Sequence, residues 1–162
     1  MNGVMHIRDH LLEELALSVR TSQNLIKRIQ SEEWTYRPQD NMRNLLELVH
    51  HLVTIPVTDL AILQESTQQE VNKVENSVSE MTDPVELANR FQSNFETLKM
   101  YIVNLTEDEL LNKSTKAFYL DHGKLQIQWL IEIVTHTFHH RSQLYNYLKQ
   151  QGHELQFFLL YE

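Results

Sequence analysis

The most chemically suggestive residues of this chain are its histidines. Nine occur among 162 residues, and three of them lie between positions 136 and 140. His136 and His140 fall within an apolar stripe at helical spacing, which comprises Trp129, Ile133, His136, His140, Leu144 and Tyr147. A spacing of four places two imidazoles on adjacent helical turns, roughly 6 Å apart, from where both can bind one metal ion. His139 lies one residue off this stripe, and we interpret it as a flanking side chain.

A metal site needs at least one more ligand, and the apolar segment 42–64 offers His50 and His51. Because this segment is apolar on nearly all sides, periodicity does not choose between the two. Three neutral histidines from two helices, completed by water, would form the open site typical of catalytic divalent ions. The alternative is that each histidine is a hydrogen-bonded residue of the core.

Glu47 precedes His51 by one helical turn and lies on the same face of the predicted helix. It could orient a ligand or act as a base, although a surface carboxylate is the interpretation we favour. Four other histidines lie near predicted helix starts or turns and are expected to be solvated: His6, His10, His122 and His153.

Other metal and catalytic motifs fit less well. The zincin pattern HExxH is absent because Thr137 follows His136. A ferritin-like di-iron site needs two ExxH motifs. Glu47 and His50 supply one, but Glu132 precedes His136 by four residues rather than three. The absence of cysteine excludes disulfides, thiolate metal sites and a cysteine nucleophile, and three glycines leave no phosphate-binding loop.

The charge balance argues against a nucleic-acid partner. Fourteen Lys and Arg residues against twenty-two Asp and Glu give a net charge of −8, and no basic cluster occurs along the chain. The first residues contain no apolar core of a signal peptide, and no stretch of eighteen apolar residues is evident. We therefore expect a cytoplasmic protein with no membrane partner.

Four helices are predicted to position the histidines, from apolar periodicity over residues 5–29, 42–64, 84–105 and 125–150. Pro56 should kink the second helix or end its first half. The polar stretch 65–80 is predicted to be a mobile loop, and 114–120 is the only stretch that could be extended. We therefore predict an all-α four-helix bundle, with residues 1–162 forming a single domain.

Two sequence stretches carry a family resemblance. MRNLLELVHHL at 42–52 and HTFHHRSQ at 136–143 resemble the signatures of the DinB-like superfamily, also called YfiT-like metal-dependent hydrolases. The resemblance implies a four-helix bundle, often dimeric, that binds nickel, zinc or another divalent metal through three histidines. It assigns these ligands to His51, His136 and His140. Ser142 replaces a glycine that is common in the family, with little expected consequence.

The resemblance also implies a function. Characterised relatives include thiol-dependent S-transferases and maleylpyruvate isomerase, which use bacillithiol, mycothiol or glutathione. We therefore expect a metal-dependent S-transferase that joins a low-molecular-weight thiol to a small electrophile. Metal-dependent hydrolysis at the same three histidines is the alternative enzyme activity. A metal-binding or stress-related bundle protein without catalysis is the alternative outside the enzymes. The family habit favours a homodimer that acts on a small-molecule substrate.

Overall fold

The structure is a computed structural model and describes residues 3–161. Its elements follow in the order α1 (Gly3–Ile26), α2 (Leu45–Leu63), α3 (Gln68–Glu75), α4 (Pro84–Asn104), α5 (Glu107–Asn112), β1 (Ser114–Thr115), β2 (Lys124–Leu125) and α6 (Gln126–Gln150). Short 3-10 turns occupy Ser31–Glu33, Asn76–Val78 and Phe157–Leu160. The all-α class predicted from the sequence is confirmed.

The four long helices pack around one apolar core. Helix α1 contacts α4 and α6, and α2 contacts the same two helices, so α2 and α6 are neighbours. The largest fully buried side chains come from all four helices and include Trp129, Phe91, Phe95, Leu15, Leu48 and Leu52. This packing brings the two histidine-bearing helices side by side.

Helix α2 begins at a capping box. The Asn44 side chain accepts a hydrogen bond from the Glu47 N–H, and the Glu47 carboxylate accepts one from the Asn44 N–H. The helix then continues through Pro56, so the prediction that Pro56 could end it is wrong. Pro56 is buried, and the apolar contacts around this helix offset the one lost hydrogen bond.

By length and composition, α2 could cross a membrane, a property that the sequence analysis overlooked. However, 67% of its most apolar window is buried inside the bundle. Such burial is typical of a core helix, whose apolar sides are covered by neighbouring helices.

The stretch 65–80 is not the mobile loop that its polar composition predicted. Helix α3 lies within it and begins at a capping box formed by Thr67 and Glu70. Val71 and Val78 are buried and fix this stretch to the bundle. Three valines at helical spacing, Val71, Val74 and Val78, were the signal that the polar residues between them obscured.

Of the stretch 114–120, which was expected to be the one that could be extended, only Ser114 and Thr115 form a strand. Ser114 pairs with Leu125 and Thr115 with Lys124 in an antiparallel ladder. The carbonyl of Thr115 accepts a hydrogen bond from the Trp129 indole, 3.2 Å away. This contact fixes the intervening loop, which includes Phe118 and Tyr119, to the start of α6.

The tail that follows α6 packs against the bundle through apolar side chains, including Leu155, Leu159 and Leu160. Leu155 is buried, and its carbonyl accepts a hydrogen bond from the Tyr145 hydroxyl at 3.0 Å. The carbonyl of Leu160 accepts one from the Arg141 guanidinium at 2.9 Å. Helix α6 ends before Gly152, whose φ of 90° is the left-handed conformation expected after a helix C-terminus.

Candidate metal centre

Three histidine rings from α2 and α6 meet at one point. The Nε2 atom of His51 lies 3.2 Å from Nε2 of His136 and 3.1 Å from Nε2 of His140. One ligand atom from each of the three side chains lies within 4.8 Å of the others. The i, i+4 spacing on α6 supplies two of the rings, and the contact between α2 and α6 supplies the third.

These distances fit a divalent metal ion. With metal–nitrogen bonds of about 2.0–2.1 Å, ligand nitrogens at tetrahedral or octahedral angles are separated by about 2.9–3.4 Å. The donor set of three imidazoles also suits zinc, nickel or a similar ion. The cluster can therefore hold a divalent metal, with His51, His136 and His140 as ligands.

The outer nitrogens of two rings face polar side chains. Nδ1 of His140 lies 2.7 Å from Oε1 of Gln143, which can only accept a hydrogen bond, so Nδ1 carries the proton. This leaves the lone pair of His140 on Nε2, inside the cluster. A carboxylate oxygen of Asp59 lies 3.8 Å from Nδ1 of His136. Such partners of the outer nitrogen orient metal-binding histidines.

The environment keeps two of the rings neutral. Burial, with smaller contributions from the charges of His140, Arg43 and His136, lowers the pKa of His51 to about 3. Burial likewise lowers the pKa of His140 to about 4, although the hydrogen bond to Gln143 opposes the shift. Neutral imidazole is the form that binds metals, so both ligands are available at neutral pH.

The pKa of Asp59 is raised, whereas the pKa values of His51 and His140 are lowered. Burial raises the pKa of the Asp59 carboxyl group above the ordinary range, while the nearby His136 works against this rise. Burial, with smaller contributions from the negative charges of Asp59 and Glu132, raises the pKa of the Tyr119 hydroxyl. A carboxylate that is costly to ionise therefore lies beside the histidine cluster.

A cavity of about 180 Å³ adjoins the cluster. His51, His136 and Asp59 line one part of it, and most of its other lining side chains are apolar or aromatic, including Ile55, Ile62, Val71, Phe118 and Tyr119. Val71 belongs to α3, and Phe118 and Tyr119 belong to the segment between the two β-strands. The stretches 65–80 and 114–120 therefore both contribute side chains to the lining of this cavity.

The structure also shows where His50, His139 and Ser142 lie. Nε2 of His50 lies 2.7 Å from the carbonyl of Met81, to which it donates a hydrogen bond, so His50 connects α2 to the chain before α4. His139 is exposed, as expected for a flanking side chain. Ser142 is also exposed, and the glycine replaced there is not needed for a close contact.

Glu47 is the surface carboxylate that we favoured. It forms the capping box of α2 and an ion pair with Arg37, whose Nη2 lies 3.1 and 3.2 Å from the two carboxylate oxygens. The hydrogen bond from the Asn44 N–H and the Arg37 charge lower the pKa of Glu47, and burial only partly opposes them. Both roles keep it away from the cluster.

Of the histidines expected to be solvated, His6, His10 and His122 are exposed. His153 is an exception, because only 16% of its side chain is exposed and its Nε2 contacts a Glu33 carboxylate oxygen at 2.7 Å. The tail folds back over the turn after α1 and covers this ring, a tertiary contact that local sequence does not reveal.

Sequence reasoning missed three side chains around the cluster: Arg43, Asp59 and Gln143. A signal existed for two of them. Asp59 lies eight residues after His51, on the same face of α2, and Gln143 lies one turn after His140. Arg43 lies before the helix, where periodicity carries no information.

The family model of the DinB superfamily matches residues 14–144, a range that contains all three clustered histidines. The chain belongs to the DinB superfamily. None of the curated proteins compared with it matches.

Two solved structures resemble this DinB-superfamily chain over nearly its whole length. A protein from Exiguobacterium sibiricum 255-15, described as a member of the DinB family, has a TM-score of 0.77 and 26% identity and aligns over 94% of this chain and 96% of its own. A DinB-like protein from Bacillus subtilis has a TM-score of 0.70 and 20% identity, over 92% and 97%. The second likeness concerns the fold alone.

Proposed function

We propose that this DinB-superfamily protein is a metal-dependent S-transferase, which joins a low-molecular-weight, bacillithiol-like thiol to a small electrophile. The observation that carries the proposal is the convergence of His51, His136 and His140 beside a cavity. Among residues 3–161, no fourth His, Cys, Asp or Glu joins the group of potential ligands. Such a three-ligand site leaves a position for a substrate, as catalytic metal sites do.

A nickel or zinc ion held there would lower the pKa of a bound thiol and supply a thiolate near neutral pH. In the reaction, the thiol sulfur forms a bond to the electrophilic carbon, the leaving group departs with its electron pair, and the thiol proton goes to solvent. The chain contains no cysteine, so the thiol must come from a co-substrate.

The protein's own residues orient the reactants and exclude water. Gln143 and Asp59 face the outer nitrogens of His140 and His136, and fixed partners of this kind maintain ligand geometry. Phe118 and Tyr119 cover the apolar cavity next to the cluster. Its volume of about 180 Å³ is below the ~300 Å³ of typical drug-sized pockets, which supports a small electrophile.

Metal-dependent hydrolysis is a second candidate because of Asp59. Its carboxylate lines the same cavity as His51 and His136, and burial raises its pKa. A carboxylate in that position can accept a proton from water during attack on a substrate. Hydrolysis and thiol transfer therefore differ in whether a thiol is consumed.

The first test is elemental analysis of the tag-free protein beside three variants. We expect about one divalent ion per chain in the wild type and its loss in His51→Ala and His140→Ala. His139→Ala is the matched control, since this exposed ring lies next to His140 and should leave the metal content unchanged. Absence of metal after reconstitution with nickel and zinc would contradict the proposal.

The second test follows thiol loss with a panel of electrophiles. The metal-loaded protein should accelerate thiol consumption, and His140→Ala should abolish the acceleration. Product formation without thiol consumption would favour hydrolysis instead. If neither reaction is accelerated and His140→Ala mainly lowers the melting temperature, the cluster has the non-catalytic, structural role.

Assembly and location complete the proposal. We propose a cytoplasmic homodimer, because the cytosol keeps low-molecular-weight thiols reduced and the tail exposes 72% of Phe157 and 68% of Tyr161. Light scattering after size-exclusion chromatography should give about twice the chain mass of 19.3 kDa. A monomer at micromolar concentration would contradict the dimer.

A further inference from the structure

A second, polar cavity lies at the start of α2. Its volume is about 520 Å³, and its lining includes Arg37, Asp40, Arg43, Glu47 and Gln143. Gln143 connects it directly to the cluster, because the same side chain accepts the hydrogen bond from Nδ1 of His140. Arg43 also lines a smaller cavity that reaches His51. Arg43 is therefore shared by the polar cavity and by the smaller cavity that contains His51.

The two arginines of this cavity differ in their partners. The Arg37 guanidinium is neutralised by its ion pair with Glu47. Within residues 3–161, the Arg43 guanidinium has no ion pair and no side-chain hydrogen bond, and Asp40 forms no ion pair with it. Arg43 thus provides a positive charge that the described part of the chain does not balance.

The backbone of Arg43 is fixed although its side chain is exposed. The hydroxyl of the buried Tyr147 donates a hydrogen bond to the Arg43 carbonyl at 3.0 Å. Asn44, the next residue, is held in the capping box of α2. Both contacts fix the main chain that carries the Arg43 side chain, which lines both cavities. Its positive charge contributes to the lowered pKa of His51 and of His140.

We infer that Arg43 binds a carboxylate of the thiol co-substrate, and that the polar cavity holds the thiol while the apolar cavity holds the electrophile. A guanidinium pairs with a carboxylate through two parallel hydrogen bonds. The carboxylates of Asp40 and Glu47, which line the same polar cavity, would repel a multiply charged phosphate but tolerate a single carboxylate. The inference rests on the proposed function, since it assigns a carboxylate-bearing thiol to that reaction.

The test measures binding to the zinc-loaded protein by isothermal titration calorimetry at low ionic strength. The probes are glutathione, its diethyl ester, in which both carboxylates are masked, and S-methylglutathione, which lacks the thiol. We expect the wild type to bind glutathione about tenfold more tightly than the diester, as for one hydrogen-bonded charge pair. Arg43→Gln should reduce this ratio to near one, and Arg43→Lys should give an intermediate ratio.

Arg90→Gln is the matched control, because it removes one positive charge from an exposed position of α4, outside the cavity lining. It should keep the tenfold ratio. A ratio that persists in Arg43→Gln would overturn the inference while leaving the thiol-transfer proposal intact.

S-methylglutathione distinguishes a failure of the Arg43 assignment from a failure of the proposed thiol chemistry. If it binds as tightly as glutathione and Arg43→Gln weakens both, carboxylate recognition stands and a role for the thiol does not. If none of the three probes binds to a protein that holds its zinc, the assignment of Arg43 is overturned. Circular dichroism melting of each variant verifies that lost binding does not reflect lost folding.

Discussion

At the scale of single residues, the cluster depends on the groups that face its outer ring nitrogens. Gln143 accepts a hydrogen bond from Nδ1 of His140 and thereby keeps the lone pair on Nε2. Without this partner, the ring can rotate or change tautomer, and the ligand is no longer held for binding. A residue that never touches the metal thus controls whether one of its ligands is available.

We therefore predict that Gln143→Leu lowers the affinity for zinc by about 10- to 100-fold, as for other partners of metal-binding histidines. Competition with a chromogenic chelator measures the change. Asn146→Leu is the control, since Asn146 is exposed on the same helix and makes no side-chain hydrogen bond within residues 3–161. Equal affinities of the two variants would show that Gln143 does not orient His140.

Asp59 illustrates a cost of the site to stability. Its pKa is raised by burial, so the folded state binds a proton more tightly than the unfolded chain. Above the unfolded pKa of about 4, the unfolded chain holds an ionised, solvated carboxylate, and the free energy of unfolding falls as pH rises. At neutral pH the metal-free protein is therefore less stable than it would be with a neutral side chain at this position.

Asp59→Asn removes this cost while keeping the shape of the side chain. We expect the metal-free variant to be more stable at pH 7.5 by about 1 kcal/mol, which raises the melting temperature by about 3 °C. The gain should shrink as the pH falls toward 4, because the folded wild-type protein takes up a proton at Asp59 more readily than the unfolded chain does. A melting temperature below that of the wild type at pH 7.5 would contradict the raised pKa.

At the scale of elements, the long helices followed from apolar periodicity and the shorter elements did not. Helix α5 begins at a capping box formed by Thr106 and Glu109, a local signal that does not depend on apolar periodicity. Helix α3 was missed because its buried side chains are few and its polar residues dominate the composition. Local sequence also did not choose between His50 and His51, since only the packing of α2 against α6 determines which ring meets His136.

The order of the stretch 65–80 depends on two buried valines, Val71 in α3 and Val78 in the 3-10 turn that follows it. We predict that Val78→Ala lowers the free energy of unfolding by about 2 kcal/mol, because it leaves a cavity at a fully buried position. Val85→Ala is the matched control, since this valine is 53% exposed on α4 and should change stability by less than about 0.5 kcal/mol. Urea denaturation gives both values. A mobile stretch at 65–80 would make the two variants equally stable.

At the scale of the whole molecule, the bundle brings together groups that are far apart in the chain. His51 comes from α2, and His136 and His140 come from α6, while α3 and the segment between the β-strands close the apolar cavity. The polar cavity lies at the start of α2 and shares Gln143 with the hydrogen bond of His140. The fold therefore forms an apolar cavity lined by His51 and His136 and a separate charged cavity lined by the partner of His140.

This arrangement makes the acid stability of the metal-free protein depend on its buried histidines. Unfolded histidines take up protons below about pH 6.5, whereas folded His51 and His140 remain neutral down to about pH 3 and 4. The unfolded state thus binds more protons over this window, and the free energy of unfolding falls as pH drops from 6.5 toward 4. Allowing for solvent screening, we expect a loss of about 1 kcal/mol per histidine.

Urea denaturation at pH 7.5 and 5.0, in the presence of a chelator, measures this loss. The double variant His51→Gln, His140→Gln lacks both titrating groups, so its stability should fall by about 2 kcal/mol less than that of the wild type over the same interval. The shift of Asp59 acts in the opposite direction, but it is present in both proteins and cancels in the comparison. Equal losses of stability in the wild type and the double variant would mean that His51 and His140 take up protons in the folded state as readily as in the unfolded chain. Such a result would remove the electrostatic basis for a set of neutral ligands.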